Sequence, residues 1–278
     1  MLKDLVARWD NAYGSASITI PRSDDQQRLV DIIGDTGWSV RTHLNGVDKY
    51  LYHPNPGDSG TIRFRMDVHY YNVPSTKATP GDAYPGTRYL GEDSYIDLDN
   101  DNMEYVARQI RSANNFDGNL SALTPKEKWE IARDAFMWAP QNMTFTDMSS
   151  NQGSSYAFDN ERGDCTEFAA SAVALLRENG IHARVVSSWW AGLDGVQGET
   201  NFPTHQRYEV YLPDNDTDSQ TGEGHWFLMD NNLYSPSNTY KYGFGWGGAY
   251  SINLGVSADS TWTYSGLTDM DYWVQNVG

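Results

Sequence analysis

The chain has 278 residues, 39% hydrophobic and 21% charged, enough to bury the core of one large domain or two modest ones. A net charge of −17 argues against nucleic acid or anionic lipid as a direct partner, since both attract clustered Lys and Arg. The longest nearly apolar run, Phe168 to Leu176, is far short of the roughly 18 residues that span a bilayer, so no membrane insertion is expected.

The acid is skewed to 27 Asp against 10 Glu, and the base to 14 Arg against 6 Lys, a balance suited to solubility in high salt. One cysteine excludes an internal disulfide and a multi-cysteine metal site. No basic-then-apolar leader opens the sequence. The expected location is therefore the cytoplasm, or a virion or surface reached without a signal peptide.

In chain order, Leu2, Leu5, Val6 and Trp9 fall at helical spacing and predict a short amphipathic helix. Ser23 and Gln26 make a capping-box pattern ahead of Leu29, Ile32 and Ile33, predicting a second helix that stops at Gly34. Strand-like runs follow. The clearest is Thr61 to Asn72, where Ile62, Phe64, Met66, Val68 and Tyr70 alternate with polar residues. From Pro74 to Pro85 the composition is loop or linker.

Asp101 and Glu104 then open a helix bearing Met103, Val106, Ala107 and Ile110 on one face. Thr124, Pro125 and Glu127 supply an N-cap, a first-turn proline and a capping-box acid for the next, ahead of Trp129, Ala132 and Phe136. A polar loop, Gln141 to Asp164, leads to a helix from Cys165 to Asn179, closed by Gly180. Strands are expected at Ala183 to Trp190, Arg207 to Leu212 and Trp226 to Asp230, and the Gly-, Tyr- and Trp-rich tail reads as strands and turns.

A lone cysteine is ordinarily a small buried hydrophobe. Cys165, however, follows Gly163-Asp164 at a loop-to-helix junction, where unpaired N–H groups and the helix dipole favour a thiolate. Such a nucleophile needs a base, and the base needs a group that holds its ring. Of six histidines, His205 opens a strand in which Tyr208, Val210 and Leu212 alternate with polar residues. Asp230 ends a second strand that could pair with it. Spacing alone leaves other assignments open, His225 being the rival base.

The stretch Arg162-Gly163-Asp164-Cys165-Thr166-Glu167-Phe168-Ala169, continued by Arg177-Glu178-Asn179-Gly180-Ile181-His182-Ala183-Arg184-Val185-Val186, resembles the core motif of the transglutaminase-like superfamily. His205-Gln206-Arg207-Tyr208-Glu209-Val210-Tyr211-Leu212-Pro213 is similar in register to its second motif, and Trp226-Phe227-Leu228-Met229-Asp230 to its third. The likeness runs from Thr124 to shortly after Asp230. His182 stands where the family usually has proline, and Gln206-Arg207 replace the common Ala-Trp.

The resemblance implies a catalytic triad of Cys165, His205 and Asp230. It also implies an α+β fold, a papain-like or transglutaminase-like core with the cysteine at a helix N-terminus packed on an antiparallel sheet. Added to this core are a mixed α/β N-terminal segment and a β-rich aromatic tail. The expected domains are an accessory region over 1–95, a catalytic core over 96–240 and an extension over 241–278 packed on the core.

The expected activity is cysteine hydrolysis of an amide, peptide or isopeptide bond, with a peptide or protein substrate, a cell-envelope polymer among them. Two alternatives are a protein-crosslinking transglutaminase, and a virion or surface protein that uses the fold as a scaffold in a larger assembly. No cofactor is required by this chemistry. Asp214, Asp216 and Asp218 space carboxylates as a calcium loop does, as do Asp97, Asp99 and Asp101, but neither run has the glycine and glutamate of an EF-hand. Trp246, Tyr250, Trp262, Tyr264 and Trp273 read as β-core aromatics or a glycan or protein contact surface.

Overall fold

The computed structural model describes residues 2–21, 23, 27–34, 36–42, 49–68, 86–116, 118–190, 204–213, 224–231, 251–256, 264–268 and 271–276. Two compact units divide the chain: Met1–Tyr71, Val186–His205 and Ala249–Gly278 form the first, and Asn72–Val185 with Gln206–Gly248 the second.

The first unit is built from strands. One sheet has the order β14-β1-β6-β3, from β1 (Leu2–Trp9), β3 (Gln27–Gly34), β6 (Gly60–Val68) and β14 (Asp271–Asn276). A second has the order β13-β2-β5-β4, from β2 (Asn11–Thr19), β4 (Ser39–Thr42), β5 (Lys49–His53) and β13 (Tyr264–Thr268). Leu5, Ala7 and Trp9 of β1, Ile62, Phe64 and Met66 of β6, Ile18 of β2 and Leu267 of β13 bury into one shared core. The predicted alternation is present over residues 62–67; Tyr70 and Asn72 lie outside the described residues. The C-terminal strands pair with the N-terminal ones, β14 with β1 and β13 with β2, so the two ends of the chain build the same sheets.

Two sequence expectations are corrected here, and with them the mixed α/β character of the N-terminal segment. Leu2–Trp9 is a strand, because β6 and β14 flank it on both sides and supply the hydrogen bonds that a helix would have made internally. The segment after Ser23 is β3. Its helix-like spacing of Leu29 and Ile32 comes from a bulge between Leu29 and Asp31, which returns both residues to the core side.

The second unit carries the helices. α1 (Asp101–Ala113) is capped by Asn100, whose side chain accepts from the Met103 N–H at 2.9 Å. In α2 (Pro125–Asn142) the expected capping box forms: Thr124 Oγ1 accepts from the Glu127 N–H, and Glu127 Oε2 accepts from the Thr124 N–H. α4 (Cys165–Glu178) ends before Gly180, which has φ +71°. The segment expected to be a plain loop contains a short helix, α3 (Gly153–Asn160), and two-residue parallel strands β7 (Thr144–Phe145) and β8 (Arg162–Gly163). Gly153 lets α3 begin: at φ +77° any Cβ would sit 2.7 Å from the Tyr95 carbonyl oxygen.

A third sheet has the order β11-β10-β9-β12, from β9 (Ala183–Trp190), β10 (Thr204–Pro213), β11 (Gly224–Met229) and β12 (Ser251–Val256). Tyr208, Val210 and Leu212 of β10 and Phe227 and Met229 of β11 join one core with α1, α2 and α4, so the helices cover that side of the β10–β11 pair.

Candidate active site

Cys165 is the first residue of α4, and its thiol is half-buried. The turn that presents it is held by two carboxylates. Asp164, the N-cap, accepts from the Thr166 N–H at 2.9 Å with one oxygen and from the Met148 N–H with the other. Glu167 is fully buried; its Oε1 accepts from the Gln152 and Gly153 N–H groups and its Oε2 from the Asp164 N–H. Burial pushes the Glu167 carboxyl above the usual range, partly offset by these donors. Gly163 is needed beside it: a Cβ there would lie 2.3 Å from Glu167 Cβ.

Asp230 directly follows β11 and is 1% exposed. The next side chain, Asn231, donates from Nδ2 to the Phe168 carbonyl at 3.0 Å, which fastens the Asp230 end of β11 to the first turn of α4. Thus the structure brings the ends that bear Cys165 and Asp230 together. His205 is the second residue of β10 and is 5% exposed. Three residues on, Tyr208 pairs with Met229, the residue before Asp230. The Tyr208 hydroxyl is pushed well above the usual tyrosine range by burial, with the Asp230 charge adding to it. The rival His225 lies inside β11 opposite Leu212.

The other side of the β10–β11 pair holds a cluster that the sequence reading did not assemble. Arg184 and Glu209 make a buried ion pair at 2.7 Å. The Arg184 guanidinium stacks 4.0 Å from the Trp226 ring centroid and 5.2 Å from that of Tyr89. Arg177 binds Gly91 O, Asp93 and Ala183 O, and His182 Nδ1 donates to Arg88 O at 2.8 Å. Together they fasten residues 88–93. His182, where the family usually has proline, is therefore an anchor; burial, helped by Lys128 and Arg177, lowers its pKa.

Asp214, Asp216, Asp218, Trp246, Tyr250 and Trp262 lie outside the described residues. Asp97 accepts from Asp99 N–H and from Ser155 Oγ, an arrangement that turns its oxygens to protein donors. No cluster of three or more His, Cys, Asp or Glu able to hold a metal occurs among the described residues. No helix among them is long and apolar enough to cross a membrane. Glu167 had a legible signal: Asp164 and Glu167 repeat the capping-box spacing seen at Thr124 and Glu127.

Residues 115–231, a span that holds Cys165, His205 and Asp230, match the sequence profile of the transglutaminase-like superfamily. Over that span the chain is similar to a transglutaminase-like core. That superfamily is one of thiol-dependent enzymes, and the α+β arrangement agrees with it. A crystal structure from Cytophaga hutchinsonii, of a protein provisionally described as a cysteine protease, shares the fold at 14% identity and a TM-score of 0.58, over 100% of this chain and 90% of that one. The periplasmic domain of TgpA from Pseudomonas aeruginosa is 16% identical with a TM-score of 0.41, over 82% and 86% of the two chains. A TGase structure is 13% identical with a TM-score of 0.33, over 77% and 52%. No curated protein sequence matches the chain.

Proposed function

We propose that the transglutaminase-like core is a cysteine hydrolase of amide, peptide or isopeptide bonds, with Cys165 as nucleophile, His205 as its base and Asp230 orienting the imidazole. The observation that carries this reading is the fastening of Asp230's strand end to the first turn of α4, at whose N-terminus Cys165 stands.

In this mechanism the thiolate adds to the substrate carbonyl. The Cys165 backbone N–H, at the first helical position and without an intrahelical acceptor, helps to hold the oxyanion. The C–N bond then breaks as His205 protonates the leaving nitrogen, giving a thioester and a free amine or ammonia. Water, deprotonated by His205, attacks the thioester and releases a carboxylic acid and the thiol. An amine in place of water gives a new amide, which is the crosslinking alternative.

The test is a library of peptides and isopeptides incubated with the protein, with and without a fluorescent primary amine, followed by mass spectrometry. The hydrolase reading expects cleavage that Cys165→Ala abolishes and little amine incorporation. Efficient incorporation into a glutamine donor would replace it with the transferase, and no product with any substrate, from a protein whose Cys165 proves inert, would overturn both.

A further inference from the structure

A groove runs along the seam between α1 and α2, in the second unit. One stretch, about 490 Å³, is flanked by Tyr105, Gln109, Trp138 and Asn142 and closed by α3 residues including Asp159. A second, about 300 Å³, continues it toward Ala113 and Gln141, and the two share Val106, Gln109 and Trp138. From Asn102 to Ala113 it follows α1 for roughly 16 Å at 1.5 Å per residue. These volumes are those of small-molecule sites.

The lining chemistry selects the occupant. Tyr105 is 56% exposed, and Trp138, tilted against Phe158 with ring centroids 4.5 Å apart, is half-buried, so two aromatic side chains line the groove. Between them stand side-chain carboxamides, which donate and accept at once as sugar hydroxyls do. Several are already oriented: Gln109 Nε2 donates to the Tyr105 hydroxyl at 2.7 Å, which leaves that hydroxyl its own hydrogen to donate. Asp159 Oδ1 takes amide donors from Asn100 and Asn102, leaving its second oxygen for a ligand.

The charges near one end are the acids Asp159 and Glu161, and at the other Arg133 sits beside Asp134, so nothing favours an anion. Both long walls are helices whose backbone groups are bonded internally, which offers an extended peptide no strand edge to pair with. Flat rings, carboxamides and a neutral-to-acidic wall fit the apolar faces and hydroxyls of linked pyranose rings.

We infer that the α1–α2 groove binds a neutral oligosaccharide chain. On the hydrolase reading, from which this extension follows, the groove would grip the glycan part of a polymer whose amide bonds Cys165 opens.

The test is calorimetric and tryptophan-fluorescence titration of the full chain bearing Cys165→Ala, so that no turnover intervenes. The probes are tetramers of glucose, galactose, mannose and N-acetylglucosamine, with a neutral tetrapeptide and tetraglutamate alongside. Saturable binding of at least one neutral tetrasaccharide is expected, weakened by roughly tenfold in Tyr105→Ala and reduced in Gln109→Ala. Tyr105 is exposed, so the thermal midpoint should be unchanged; Trp138→Ala serves as a second variant. No saccharide binding, binding indifferent to Tyr105→Ala, or preference for either peptide overturns the proposal. Because the assay does not depend on catalysis, its failure leaves the hydrolase reading standing.

Discussion

Replacing Gly163 with alanine tests how tightly the turn before Cys165 is built. The new Cβ would lie 2.3 Å from Glu167 Cβ, 2.7 Å from its Cγ and 3.0 Å from its Oε2. Glu167 cannot swing aside freely, since Gln152, Gly153 and Asp164 N–H groups all bind its buried carboxylate. Overpacking a filled site costs about 1–3 kcal/mol, and losing a hydrogen bond to a charged group adds about 1.5–3 kcal/mol. The expected loss is therefore roughly 2.5–6 kcal/mol, a large part of a typical domain's stability. Urea unfolding at neutral pH should show a lowered midpoint with an unchanged slope, and the alkylation rate of native Cys165 should change as its turn shifts. A variant within about 0.5 kcal/mol of the parent, as ordinary surface changes are, would refute the reasoning.

Arg184→Ala should cost about 3–5 kcal/mol, because it leaves the Glu209 carboxylate buried without its cation and strips the stack on Trp226; chemical denaturation checks it, and a loss below about 1 kcal/mol would contradict the buried pair. Thr124→Ala should destabilise by about 1 kcal/mol at neutral pH. Hydrogen bonds to Thr124 lower the Glu127 pKa, so the capping contribution is full above the unfolded value of 4.5 and fades as pH falls through the folded one; a difference that is constant with pH would count against the box. His182 is held neutral, its folded pKa below 6.5, so its contribution is full above that value and is lost as the solution is acidified. Thermal midpoints should therefore fall less between neutral and mildly acidic pH in His182→Asn than in the parent, and equal slopes would show that the Arg88 anchor does not titrate.

What could be read from the sequence followed the range of the forces involved. Helices α1, α2 and α4 announced themselves through local signals: the acids Asp101 and Glu104 in the first turn of α1, the capping box at Thr124, the Gly180 stop of α4, and one apolar face each. The strands bearing His205 and Asp230 were visible as alternation backed by motif likeness. β1 and β3 were misread because their helical spacing is set by partners that lie far off in sequence: β1 is sandwiched between β6 and β14, and β3 carries a bulge. The Arg184–Glu209–Trp226 cluster joins three strands, and no local pattern marks it. Glu167 was legible by spacing, yet its grip on Gln152 and Gly153 depends on α3, which the composition of that segment concealed.

The proposed hydrolase activity requires Cys165 to work as a thiolate served by His205. The direct measurement is the rate of iodoacetamide alkylation of the native protein from roughly pH 4 to 9, in the parent, His205→Ala and Asp230→Ala, each first shown to be folded. Fast labelling below neutral pH that slows when His205 is removed, and weakens when Asp230 is removed, is the predicted result. A thiol that is inert in the native state, or that reacts only near pH 8.5 as an ordinary cysteine does and ignores both substitutions, would contradict it.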